Sequence, residues 1–246
     1  MDTVTFAGHR LSEFGAKLLS YPQISPCEID LQYFQGVSRS TLIPLVNRRK
    51  AKTLTFLIDF LCADNVRRTK DISAFETLFT SNDAVTIDIG DGFLYSGFLT
   101  ESSDLGTEGE LITSMEYVFV AMRHTQSVKV DCSDGEIDFL CESNYPKTDC
   151  RITIDLNVTT GGAFTVLLNT NMLTFVIPEV TSQLLGKQLV LDGINKVFLL
   201  DGNNITAQVD WTDFPYLLPG KNTVFIGVSG VVITLPFSVE YTPTYL

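Results

Sequence analysis

The sequence predicts a mainly β protein organised as two domains, and three observations carry that prediction. Apolar and polar residues alternate at period two, as in Val85, Ile87 and Ile89, which is the signature of half-buried strands. Turn residues punctuate those runs, with Asp-Gly pairs at Asp91-Gly92, Asp192-Gly193 and Asp201-Gly202. The composition, 45% hydrophobic with 17 Phe and 17 Gly, is that of a packed β protein rather than a disordered chain. At 246 residues there is room for two small domains, each with its own core, and the predicted division is 1–131 and 132–246.

Taken in order, residues 41–60 read as two strands around a basic hairpin. A short helix follows, with Asp71 or Ser73 as its cap and Ala74, Phe75, Leu78 and Phe79 at helical spacing, packed on the sheet. From Ala84 the period returns to two, and Asp91-Gly92 turns the chain toward Phe93 and Tyr95 as a β-hairpin. The polar run over 101–112 is predicted to be a loop or an extended hairpin arm suited to subunit contact, and 115–122 closes it as a strand. The acidic stretch from Val130 to Tyr145 is read as an irregular crossover into the second domain.

Beyond it, short apolar runs at regular spacing predict a β-sandwich. The run from Asp210 to Gly227 reads as strand, turn, strand. Pro215 and Pro219 cannot donate to a ladder, while Gly220 and Asn222 tolerate the backbone angles of a tight turn. The next strand is expected over Thr223–Val228, and a closing strand over Val231–Tyr241.

The formal net charge of -12, from 17 Lys and Arg against 29 Asp and Glu, repels a phosphate backbone and excludes sequence-specific nucleic-acid binding. The basic residues Arg48, Arg49, Lys50 and Lys52, with Arg67, Arg68 and Lys70, are expected to be solvated rather than a phosphate site. Five cysteines without a CxxC pair argue against a disulfide framework and against a zinc site, so reduced thiols are expected. No leader pattern and no apolar run of about 18 residues is present, which predicts folding in the cytosol and no membrane insertion. Asn157-Val158-Thr159 and Asn204-Ile205-Thr206 are then ordinary strand and turn residues.

No catalytic, cofactor-binding or metal-binding residue is assigned, and the chain is not expected to be an enzyme. His9 and His124 are the two histidines, and each is expected to be structural, since neither has a partner visible in the sequence. The HExxH, P-loop and GxSxG motifs are absent, and Gly90–Gly92 reads as hairpin chemistry. Asp131, Asp134, Glu136, Asp138 and Glu142 lack EF-hand spacing and are expected to form a solvated acidic linker. Trp211 with Tyr216 is the candidate glycan contact, set against the expectation that Trp211 packs beneath the turn that follows it.

The ordered set Leu189–Gly193, Asp201-Gly202, the 213–223 run with its Pro-Gly-Lys-Asn turn, and a closing strand into Thr242-Pro243 resembles the C-terminal domain of siphophage distal tail proteins. Residues 4–20 resemble that family's first strand and loop, and 54–100 its middle, so the resemblance spans nearly the whole chain. It implies an N-terminal β-sandwich-like ring-forming domain with one short helix and a C-terminal galectin-like or carbohydrate-module-like β-sandwich. It further implies a homo-hexameric ring in the virion tail tip, assembled in host cytoplasm. There the ring would join the tail tube protein to the tail-tip hub and the receptor-binding proteins. The alternative, motivated by Trp211 and Tyr216, is a stand-alone carbohydrate-binding module.

Overall fold

The computed structural model describes residues 3–27, 29–34, 43–106, 114–156, 163–168, 171–176, 186–208, 213–228 and 235–246. Strands dominate and all the pairings described below are antiparallel, so the chain is mainly β as its alternation predicts. It divides into two compact units, Met1–Thr125 together with Leu246, and Gln126–Tyr245. The division falls at Thr125/Gln126, several residues before the 131/132 position read from the acidic stretch.

In the first unit the strands are β1 (Thr5–Phe6), β2 (His9–Arg10), β3 (Ala16–Leu18), β4 (Gln23–Ile24), β5 (Ile29–Phe34), β6 (Ile43–Arg49), β7 (Lys52–Phe60), β8 (Val85–Asp88), β9 (Leu94–Asp104) and β10 (Ser114–His124), with helix α1 (Asn65–Thr77) between β7 and β8. The main sheet runs β2-β1-β8-β9-β10-β7-β3, with β4 also on β7. Its strict alternation makes β7 two-faced. Leu54, Phe56, Ile58 and Phe60 are buried, and Tyr117 and Phe119 of β10 lie directly across from Phe56 and Leu54. Phe75 of α1 caps this face, with ring centroids 5.2 Å from Phe6 and 5.2 Å from Tyr117 in edge-to-face geometry. The helix therefore packs on the sheet as expected.

Two local expectations are corrected in this unit. The helix begins at Asn65, because Asp64 caps it by accepting from the Arg67 N–H at 2.9 Å, and neither Asp71 nor Ser73 does so. Its first two turns are polar, so apolar spacing alone could not reveal them, and Arg68 is buried there by hydrogen bonds to the Cys62 carbonyl. The two strands in 41–60 exist, yet among the described residues β6 pairs with β5 alone while β7 joins the main sheet. The first part of the run read as a loop or hairpin arm, 101–104, continues β9 and pairs with β10 as far as Met115↔Asp104. Residues 107–112 of that run lie outside the described residues. The hairpin at Asp91-Gly92 forms as predicted, with Asp88↔Leu94 and Val85↔Gly97 in register.

In the second unit the strands are β11 (Val128–Cys132), β12 (Glu136–Cys141), β13 (Thr148–Leu156), β14 (Ala163–Leu168), β15 (Asn171–Val176), β16 (Lys187–Asp192), β17 (Val197–Leu200), β18 (Asn203–Asn204), β19 (Tyr216–Leu217), β20 (Gly220–Val228) and β21 (Phe237–Tyr241). One sheet runs β11-β21-β13-β16-β17-β18 with β19 on β13, and the other runs β12-β20-β14-β15. One contiguous cluster, including Ile152, Ile154, Leu191 and Val239 from the first sheet and Val224 and Ile226 from the second, fills the core. The stretch read as an irregular acidic crossover is instead two regular strands, β11 and β12, one in each sheet. Its carboxylates mislead because alternate positions of these edge strands face solvent, which suits Asp131, Glu136 and Asp138.

Two further expectations change here. Asn222 sits within β20 rather than in the turn before it, while Asn203–Asn204 forms β18 and Thr206–Gln208 a 3-10 turn. The closing strand is Phe237–Tyr241, while 231–234 lie outside the described residues.

Candidate interaction surfaces

The sheet of the first unit has one face filled by the aromatic core and one without a covering helix. Directly paired residues share a face, so Leu57 with Glu116, Thr55 with Val118, Thr53 with Val120, Val120 with Phe98, and Met122 with Ser96 lie on the side opposite the core. Phe98 is 51% exposed and Val120 39%, which makes an exposed apolar strip across β9 and β10. Such strips on a sheet are contact surfaces in the making.

The same sheet has an open edge. Strand β8 accompanies β9 only as far as Gly97, so on that side nothing among the described residues pairs with Phe98–Asp104. Gly97 holds the close approach just before this edge, because a Cβ there would stand 2.2 Å from the Val120 carbonyl oxygen. Thr100 forms a bulge between the Val118↔Glu101 and Phe119↔Leu99 pairs, and its hydroxyl donates to the Val118 carbonyl at 3.0 Å. The edge is thus bulged and carries Glu101 and Asp104, both devices that discourage indiscriminate strand addition.

Ser96 and His124 are brought together on this unpacked face. Ser96 Oγ lies 2.7 Å from His124 Nε2, and His124 Nδ1 lies 2.9 Å from the Thr125 carbonyl oxygen. In the neutral ring Nδ1 therefore donates to the carbonyl and Nε2 accepts from the serine. A carbonyl orients the ring where a triad would place a carboxylate, so the charge that stabilises an imidazolium is missing. His9 instead pairs with Glu13, Nδ1 to Oε2 at 2.9 Å, at the exposed start of the chain.

In the second unit Tyr216 of the candidate glycan contact lies beside a lysine. Tyr216 is partly covered, and the Lys147 ammonium sits 4.1 Å above its ring centroid while reaching Asp213 at 3.6 Å. The interaction with the Tyr216 side chain, helped by the charge on Asp213, outweighs burial and leaves the Lys147 amine above its ordinary value. Trp211 lies outside the described residues. Sequence reasoning missed Lys147 because it approaches from the start of β13, about 70 positions away in the chain. The neighbouring Phe214 packs at 5.1 Å against Phe198 and lies under Lys196 at 5.5 Å.

The acidic residues do not converge. Asp131 pairs with Lys129 at 3.1 Å, Asp138 with Lys221 at 2.7 Å, and Asp134 accepts from Ser133 at 3.0 Å. Among the described residues no group of three His, Cys, Asp or Glu gathers to hold a metal ion, and no helix is long and apolar enough to cross a membrane.

No protein-family profile matches the sequence, and no curated protein matches it significantly. Solved structures do. Similar chains include two from the baseplate of phage p2 in its activated conformation. The one with strontium has a TM-score of 0.49 at 9% identity, and the one with calcium 0.47 at 9%, each covering 94% of this chain and 92% of that one. The Dit (gp 19.1) protein of SPP1, described as a paradigm of the hub adsorption apparatus in phages infecting Gram-positive bacteria, superposes with a TM-score of 0.71 at 13% identity, over 99% of both chains. From its first strand to its last, this chain has the fold of the SPP1 Dit protein.

Proposed function

We propose that this chain is a structural protein of a phage tail tip, built into a hexameric ring that joins the tail tube to the tail-tip and receptor-binding apparatus. The observation that carries the reading is the shared fold with SPP1 Dit over both units and 99% of each chain. A fold alone does not fix a role. The surfaces described above agree with an assembly role: an apolar strip on an uncovered sheet face and an open strand edge. Closing a ring is one way to satisfy strand edges that would otherwise aggregate.

On this reading the protein works without turnover, resides in the virion tail tip, and is made in host cytoplasm. The strands of 41–60 and 84–120 make the contact between copies. The net charge of -12 keeps the ring from gripping DNA that passes it. Negative-stain microscopy of the purified protein tests the reading: six-fold rings support it, and a field of single molecules at all concentrations overturns it.

A further inference from the structure

Strand pairing in the first unit leaves two loose ends of complementary character. The ribbon β5–β6 is a sheet of two strands, and among the described residues neither pairs with a third. A two-stranded ribbon is marginal in water by itself and gains from a further strand. The other loose end is the open edge of β9 from Phe98 to Asp104. The ribbon's second strand ends in Arg48 and Arg49 and runs into Lys50, whereas the open edge carries Glu101 and Asp104. A basic strand and an acidic, bulged edge attract each other and repel their own kind.

Resting on the ring reading above, we propose that β6 of one copy adds to the open edge of β9 in the next copy. The ribbon and the edge are different patches of one chain, so the contact is head-to-tail, the type that closes into rings when the rotation permits. Added main-chain hydrogen bonds supply affinity, as in strand addition generally, and the charge match supplies selection of partner and register. The acidic edge also explains how a chain with an open strand avoids pairing edge to edge with its twin. Like charges would face each other there.

Charge exchange tests the contact. Three full-length variants are compared with wild type by sedimentation velocity over a concentration series: Arg48→Glu with Arg49→Glu, Glu101→Lys with Asp104→Lys, and all four together. Circular dichroism and a thermal melt check that each is folded. Each one-sided reversal is expected to raise the concentration needed for assembly by about tenfold or more, and the four-fold exchange to restore it. An assembling wild type whose reversals leave assembly unchanged, or whose four-fold exchange fails to restore it in a folded protein, overturns the contact while leaving the ring. A wild type that stays monomeric throughout overturns the ring reading and the contact with it.

Discussion

Arg151 meets Asp192 through one carboxylate oxygen, with Nε and Nη2 both donating to Oδ2 at 2.9 Å. The other oxygen accepts the backbone N–H groups of Ile194 and Asn195, each at 2.9 Å. Asp192 is 4% exposed, so a single carboxylate ties β13 to β16 and shapes the turn that begins at Gly193. Arg151 also reaches Glu240 of β21 at 3.4 Å, which extends the charge alternation over a third strand.

Replacing Asp192 with Ala leaves Arg151 and two turn amides without their acceptor. The expected loss is about 2 to 3 kcal/mol in the unfolding of the second unit, read by urea titration.

Burial opposes ionisation of Asp192, but the backbone and side chain of Asn195 and the Arg151 guanidinium outweigh it and hold the carboxyl below its ordinary range. A carboxyl depressed in the folded state stabilises fully above its unfolded value, near 4, and loses that contribution as pH falls through the folded value. The stability gap between wild type and Asp192→Asn should therefore be constant above about pH 5 and shrink on acidification below about pH 4. A gap that widens in acid contradicts this assignment.

A methyl at Gly193 would stand 2.1 Å from the Pro215 carbonyl oxygen and 2.7 Å from that of Cys150, both backbone atoms that cannot turn aside. Gly193→Ala is expected to cost more than about 2 kcal/mol. Gly202→Ala, at φ 77 with nothing within 4 Å, costs only the left-handed penalty of about 1 kcal/mol. Equal melting shifts for the two variants would refute the close approach.

Asn222 is fully buried and closes the turn before it, with Nδ2 donating to the Leu218 and Gly220 carbonyls at 2.8 Å and Oδ1 accepting from the Leu218 N–H at 3.0 Å. Asn222→Asp turns the donor into an anion facing two carbonyl oxygens and should destabilise more than Asn222→Ala, which itself costs about 2 kcal/mol. The order of the two melting temperatures decides.

Much of this was legible in the chain. The hairpin at Asp91-Gly92 and the core phase of β7 and β13 follow from period-two alternation, and Pro219 in the 213–223 run marks the break between β19 and β20. What escaped reading depended on partners distant in sequence. Asn222 looked like a turn residue because Asn favours turns, yet its amide serves from inside a strand. The acidic stretch at Val130–Tyr145 looked like a linker because edge strands carry charge on their solvent face. The first turns of α1 carry no apolar stripe to betray them, and nothing in the local sequence of Tyr216 announces Lys147. Pairing partners of β6 were equally hidden, since adjacency in sequence favours a hairpin with β7 that the sheet does not make.

Thiol reactivity should follow burial. Cys150 is sealed in the core of the second unit, and burial pushes its thiol well up, as it does for Cys141 to a smaller degree. Cys27, Cys62 and Cys132 are partly exposed. A thiol reagent at pH 8 should modify the latter group in the native protein and reach Cys150 only on unfolding, which peptide mapping by mass spectrometry resolves.

The central claim is that identical copies assemble through the first unit. Native mass spectrometry of the intact protein at micromolar concentration tests it most directly. The account predicts a closed species of six copies of the 27.2 kDa chain that dissociates when the Phe98 and Val120 strip is made polar. A spectrum containing only the single chain, at every concentration, would contradict it.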